Sequence, residues 1–163
     1  MQRVIGLCGA VVVGLLGVAR PAAAQRMSAI EVGLVAPGDG QLLQVGYRYS
    51  VLGRNGPGIE IAVATLPEAV VYGVVVLGAD FDAAFLLSPT PEVGLVARGG
   101  VSTIAGAGGG GGGAVFGYNL GGGVLVRAWS QGALRVDYTH RRFSIDGDRL
   151  SLPSLTIGVV WFR

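Results

Sequence analysis

Along most of this chain, bulky apolar residues alternate with small or polar ones at a period of two. In the stretch 43–51, Leu43, Val45, Tyr47, Tyr49 and Val51 share one face, and Gln44, Gly46, Arg48 and Ser50 share the other. Such alternation marks a β-strand with unlike faces. It recurs over about 28–36, 41–51, 58–66, 74–87, 92–103, 113–128, 132–144 and 153–163, with Gly, Pro, Asn, Asp and Ser between the segments. No segment has the period of an amphipathic helix. The chain therefore reads as eight strands with short connections.

The chemistry of the two faces says what surrounds them. One is bulky and apolar on every strand, as with Val75, Leu77, Phe81, Phe85 and Leu87 on the fourth and Leu155, Ile157, Val159 and Trp161 on the eighth. The other is mostly Gly and Ala, with about one charge per strand. A soluble barrel turns its apolar face inward and covers the outside with Lys, Glu, Gln and Thr. Gly and Ala make a poor solvent surface, but they leave room in a narrow lumen. The pattern thus predicts an all-β fold: a closed antiparallel up-and-down eight-stranded transmembrane β-barrel with its apolar face toward lipid. Closure also leaves no unpaired strand edge in the bilayer. Aromatic residues gather at both rims, with Tyr47, Tyr49, Phe85, Trp129 and Trp161 toward the inner one and Phe116, Tyr118 and Phe143 toward the outer. Inner turns are expected at 52–57, 88–91 and 129–131, and somewhat longer outer loops near 37–40, 67–73, 104–112 and 145–152.

A different pattern precedes the strands. Arg3 opens a positive segment, Val4 to Ala19 is apolar, Pro21 breaks the run, and Ala22-Ala23-Ala24 offers small residues to a peptidase. The apolar run is short for a membrane-spanning helix, which takes about 20 residues. It reads as a cleavable signal peptide over 1–24, leaving 25–163 as one barrel domain. Cleavage changes the charge balance. The whole chain carries +2, but without Arg3 and Arg20 ten arginines face ten acidic residues. A neutral chain without lysine gives no reason to expect a nucleic-acid partner. The one cysteine, Cys8, leaves with the peptide, which excludes disulfides and thiol chemistry. With one histidine and no metal-ligand spacing, no metal and no cofactor is expected.

The chemistry-bearing set is therefore the charges on the small face. Glu31, Glu60, Asp80, Asp82 and Asp137 stand against Arg48, Arg98, Arg127, Arg135 and Arg141. The interior of an eight-stranded barrel is just wide enough for side chains to fill. These groups are expected to pair there as a structural plug, with a narrow ion pathway as the alternative. The stretch "GAGGGG", 106–111, satisfies the G-x-G-x-x-G pattern of a dinucleotide turn. That turn must open a helix, whereas 114–126 alternates by two. The segment 106–112 reads instead as a flexible outer loop, and Gly117, Gly121 and Gly123 as lumen-face positions that leave space for neighbouring charges.

The penultimate strand "GALRVDYTHRRF" and the final "LTIGVVWFR", together with the alternation along 25–163, resemble the small eight-stranded outer-membrane barrels of the OmpX and OmpA transmembrane-domain type. The resemblance implies a monomer in the outer membrane of a Gram-negative bacterium, with membrane lipid and lipopolysaccharide as partners. It also implies a C-terminal signal, here Trp161 and Phe162, read by the barrel-assembly machinery. The expected role is non-enzymatic: structural, envelope-stabilising, or a surface interaction through short extracellular loops. The alternatives are a narrow ion channel, a lipid-modifying barrel enzyme, or a soluble exported barrel that binds an apolar ligand. Some eight-stranded barrels are lipid A deacylases with a rim His and a Ser two residues on. Here His140 is followed at that spacing by Arg142, and the nearest serine is Ser144. His140, Arg142 and Arg149 are instead candidates to contact lipopolysaccharide phosphates.

Overall fold

The structure, a computed structural model, describes residues 24–38, 40–108, 111–145 and 147–163. The signal peptide expected over 1–24 lies outside the described residues apart from Ala24. Eight strands follow one another: β1 (Gln25–Val35), β2 (Leu42–Leu52), β3 (Gly56–Thr65), β4 (Val74–Leu87), β5 (Val93–Gly108), β6 (Gly111–Trp129), β7 (Gly132–Ile145) and β8 (Asp148–Phe162). Each pairs antiparallel with the next, and β8 pairs with β1, so the sheet closes into an up-and-down barrel in chain order. The seam is continuous, from Met27 opposite Phe162 to Val35 opposite Ser154.

Strand alternation sorts the two faces as the sequence pattern requires. Ile30, Val32, Phe81, Leu120, Val136 and Ile157 lie on the outside at 43–69% exposure, while Glu31, Asp80, Asp82, Arg135 and Asp137 are buried. A period of two makes this all-or-none, since a one-residue slip would turn every charge toward the outside. No helix among the described residues is long and apolar enough to cross a membrane. The apolar exterior is instead a belt on strands of 10 to 19 residues, where about 9–11 suffice to cross a bilayer. Gln25 at the start of β1, Phe162 at the end of β8 and the turns 53–55, 88–92 and 130–131 lie at one end of the barrel, called here the near end. The β1–β2, β3–β4, β5–β6 and β7–β8 connections join at the far end, where Val35, Thr65, Gly108 and Ile145 end their strands.

Several expectations are corrected. The glycine stretch is not a loop: β5 runs to Gly108 and β6 resumes at Gly111, these two facing each other across the ladder. Glycine keeps both backbone hydrogen-bonding groups, so a run of them continues a ladder already set in register by its flanks. The far-end segment 145–152 likewise belongs largely to β7 and β8. The loop at 67–73 contains a short helix, α1 (Pro67–Val71), with Pro67 in its first turn and Glu68 accepting the Leu43 N–H at 3.1 Å. Phe143 has the inward parity of Arg141 and is 3% exposed, so it is not part of the outer aromatic rim.

The lumen also differs from a uniformly small, charged channel. Near the termini it is closed by an apolar cluster that includes Met27, Leu52, Leu86, Val96, Leu125 and Val160, with Phe162 packed against it. These residues have inward parity, and a tube this narrow excludes water from its wall just as a core does.

The belt yields a direct test. Val136→Arg places a charge at mid-strand on the lipid side and is expected to weaken folding into phospholipid vesicles by about 2–4 kcal/mol. Ser144→Arg, nearer the far rim, is expected to cost about 0–1 kcal/mol. Equilibrium urea titrations of vesicle-inserted protein measure both, and equal costs would contradict this placement of the belt.

Candidate functional site

Midway along the lumen the inward positions of six strands form an ionic layer. Its centre is Arg135 on β7, 1% exposed. Its Nη1 and Nη2 donate to Oε1 and Oε2 of Glu60 on β3 at 2.6 and 3.0 Å. Its Nε donates to Asp137 Oδ2 at 2.5 Å. Arg98 on β5 donates to the other Asp137 oxygen and, at 2.6 Å, to Thr139 Oγ1. On β2, Arg48 holds Glu31 of β1 through Nε and Nη2 at 2.7 and 3.2 Å. Arg141 of β7 holds Asp80 of β4 through Nε and Nη2 at 3.0 and 2.7 Å, and Ser154 Oγ through Nη1 at 2.9 Å. The planar guanidinium fork suits two-pronged carboxylate binding. A point charge such as lysine could not span two oxygens in the same way.

Neutral groups complete the layer. Ser50 donates to Glu60 and Ser102 to Asp80, both at 2.6 Å, and Asn119 Nδ2 donates to Asp82 Oδ1 at 2.8 Å. These residues, with Thr139 and Ser154, carry no charge and so escape a search for acids and bases. Their inward parity was the available signal. Glycines shape the same layer. A Cβ at Gly123 would collide with the Asp137 carboxylate, one at Gly100 would sit 2.6 Å from Asp82 Oδ1, and one at Gly158 would sit 2.9 Å from Glu31 Cγ.

Nine of the ten predicted lumen residues meet in this layer, and Arg127 does not. The β6–β7 register shifts between Arg127 and Trp129. Arg127 is exposed at the near mouth, its guanidinium 5.1 Å from the Phe162 ring centre. Its departure leaves five carboxylates with four guanidinium groups. Asp82 is the least well served: among the described residues its Oδ2 has no hydrogen-bond partner, and it lies 3.8 and 3.9 Å from Arg98 Nε and Arg48 Nη1.

A second polar group lies on the outside near the far rim. His140 Nε2 accepts from Arg142 Nε at 3.1 Å and lies 3.1 Å from Ser151 Oγ of β8, while Tyr138 OH is 3.5 Å from Nδ1. Sequence spacing pointed to Ser144. The β7–β8 register instead sets Ser151 directly opposite Arg142, beside His140. A Ser–His contact suggests a nucleophile and its base, which also needs a third group to orient the imidazole. Here Arg142 occupies the lone pair the serine would use, and among the described residues no carboxylate pairs with His140. Arg149 lies one outward position before Ser151, opposite Ser144. At the near end, Trp161 faces outward at 40% exposure and Phe162 inward. No group of residues suited to a metal ion occurs among the described residues.

A closed eight-stranded barrel with an apolar belt and a charged interior defines a membrane-spanning β-barrel, and solved structures of that class share the fold. Neisserial surface protein A is 13% identical, with a TM-score of 0.57 over 85% of this chain and 96% of that one. The N-terminal β-barrel domain of Pseudomonas aeruginosa OprF is 10% identical, with a TM-score of 0.60 over 85% and 99%. Ail, the attachment invasion locus protein of Yersinia pestis, bound to the heparin analogue sucrose octasulfate, is 12% identical, with a TM-score of 0.55 over 86% and 97%. No family model matches the chain, and no curated protein matches its sequence.

Three substitutions test the layer. Arg135→Ala strands Glu60 and Asp137 without their main partner and is expected to reduce stability by about 3–5 kcal/mol. Asp82→Asn removes the surplus carboxylate while keeping its shape, and is expected to leave the unfolding midpoint in urea unchanged or raised. A larger loss from Asp82→Asn than from Arg135→Ala would reverse this ranking. Gly123→Val is expected to cost about 1–3 kcal/mol through overpacking against Asp137. Gly113→Val, where a Cβ meets nothing within 4 Å, serves as its control in the same titration.

Proposed function

We propose that this protein is a non-enzymatic outer-membrane barrel of a Gram-negative envelope that acts through its body and its far-end surface and conducts nothing through its lumen. The observation that carries this reading is the ionic layer: Arg135, Arg98 and Arg141 reach across from their own strands to acids on others, so the charges obstruct the tube they line. A conducting pore would need its charges exposed to a continuous water path. The apolar cluster beneath the layer argues the same way. Two proteins of this fold support the envelope setting: Neisserial surface protein A, and the outer membrane protein OprG from Pseudomonas aeruginosa.

The outward group of His140, Arg142 and Arg149 supports a partner at the far rim. Both arginines are exposed and lack an acidic partner among the described residues, and guanidinium groups bind phosphate strongly. Set at the headgroup level of an outer leaflet, they would hold lipopolysaccharide phosphates and tie the barrel to the lipid around it. Trp161 and Phe162 at the near end would serve as the element read by the barrel-assembly machinery.

Planar-bilayer recording tests the closed lumen, with no steady single-channel current expected; sustained ohmic conductance of the wild-type barrel would overturn it. For the rim, thermal unfolding in vesicles with and without lipopolysaccharide is expected to show a stabilising increment. Arg142→Ser combined with Arg149→Ser should remove that increment while leaving the melting temperature in plain phospholipid unchanged.

A further inference from the structure

Beyond the ionic layer, toward the far end, the inward residues turn apolar. Val35, Leu42, Val76, Ile104, Leu150 and Leu152 wall a cavity of about 220 Å³ between that layer and the far-end connections. An apolar cavity of about 150 Å³ is large enough to take up benzene, so this one admits a substituted ring or a short branched chain. Its floor is formed by Glu31, Arg48, Asp80 and Arg141, already joined as two ion pairs. Arg48 Nη1 makes no hydrogen bond among the described residues, but it is buried 3.5 Å from Glu60 Oε2 and 3.9 Å from Asp82 Oδ2, so a charged guest would have to disrupt a buried pair to be held. One polar group on the wall is free. Gln44 lines the cavity, and its side-chain amide is tied up in none of the lumen hydrogen bonds described above. An amide facing the cavity space is available to hydrogen-bond a guest, which fixes the guest's orientation.

We propose that this far-end cavity binds a small uncharged molecule with an apolar body and a single hydrogen-bonding group, which the Gln44 amide holds. Apolar walls select the body, the paired floor rejects ions, and Gln44 sets the orientation.

The test uses 4-fluorophenol as probe, followed by fluorine NMR with the full barrel folded in detergent micelles. The expected result is a saturable component above the linear uptake by micelles, with nuclear Overhauser contacts from the ring to the Leu42 and Leu152 methyls. Charged 4-fluorobenzoate should show no saturable component. Gln44→Leu, which keeps the bulk and removes the amide, should weaken binding by about tenfold, the loss expected for one hydrogen bond. Ile104→Trp, which fills the cavity, should abolish it. Folding of each variant is checked by heat-modifiable gel mobility. The wild-type contacts to Leu42 and Leu152 decide the matter without any variant: their absence, or purely linear uptake, overturns the proposal. An unchanged affinity in folded Gln44→Leu or in folded Ile104→Trp does the same.

Discussion

A guanidinium group that cannot reach water must find its carboxylates where it stands, and Arg135 is such a group. Its hydrogen bonds to Glu60 and Asp137 fix the relation between β3 and β7, which are not neighbours in the sheet. Arg98 and Arg141 place similar ties from β5 to β7 and from β7 to β4. Satisfying these groups demands short side chains or none at the positions between them. Gly100, Gly123 and Gly158 stand where a Cβ would intrude on Asp82, Asp137 and Glu31. The glycine content of the inner face is thus the complement of its charges, each absent side chain making room for a long one.

The layering along the lumen follows from the same economy of space. Charges concentrate at mid-depth, where strands from all sides can reach one another. The near end, with Leu52, Leu86 and Leu125, is packed as an apolar core. The far end keeps apolar walls but does not fill them. One tube thus combines an apolar stopper, an ionic crosspiece and an unfilled recess, while its outside presents a continuous apolar belt.

The sequence made the fold legible because a period of two over eight segments has one economical closure, and because Gly and Ala opposite bulky residues distinguish lipid from water outside. Most of the ionic layer was legible for the same reason: parity alone places Arg48, Arg98, Arg135 and Arg141 on one face. What it missed depends on register and local irregularity. Arg127 has the correct parity but lies two inward positions nearer the near end than Gly123, opposite Ala133 of the apolar cluster. Ser151 lies beside His140 only because β8 pairs with β7 in one particular alignment, which spacing along the chain does not encode. The segment 106–112 looked like a loop because glycine lacks strand propensity. The backbone of 106–108 and 111–113 nevertheless continues a ladder whose alignment is set by Ser102–Gly117 and the pairs below it. Phe143 was misplaced because the rim pattern of aromatics was weighed above its parity.

The cross-lumen ties bear on how such a molecule forms. Glu60 and Arg135 are 75 residues apart, and Asp80 and Arg141 are 61 apart. No single hairpin contains either pair. A chain that has made β1 to β4 and entered the bilayer carries Glu31, Glu60, Asp80 and Asp82 in the layer, with Arg48 as the one cation it contributes there. The second half carries Arg98, Arg135 and Arg141 against Asp137 alone. Each half is therefore a poor membrane solute with an unbalanced charge, negative in one case and positive in the other. Their mutual neutralisation comes only when the halves meet, so insertion, closure of the β1–β8 seam and assembly of the interior belong to a single event.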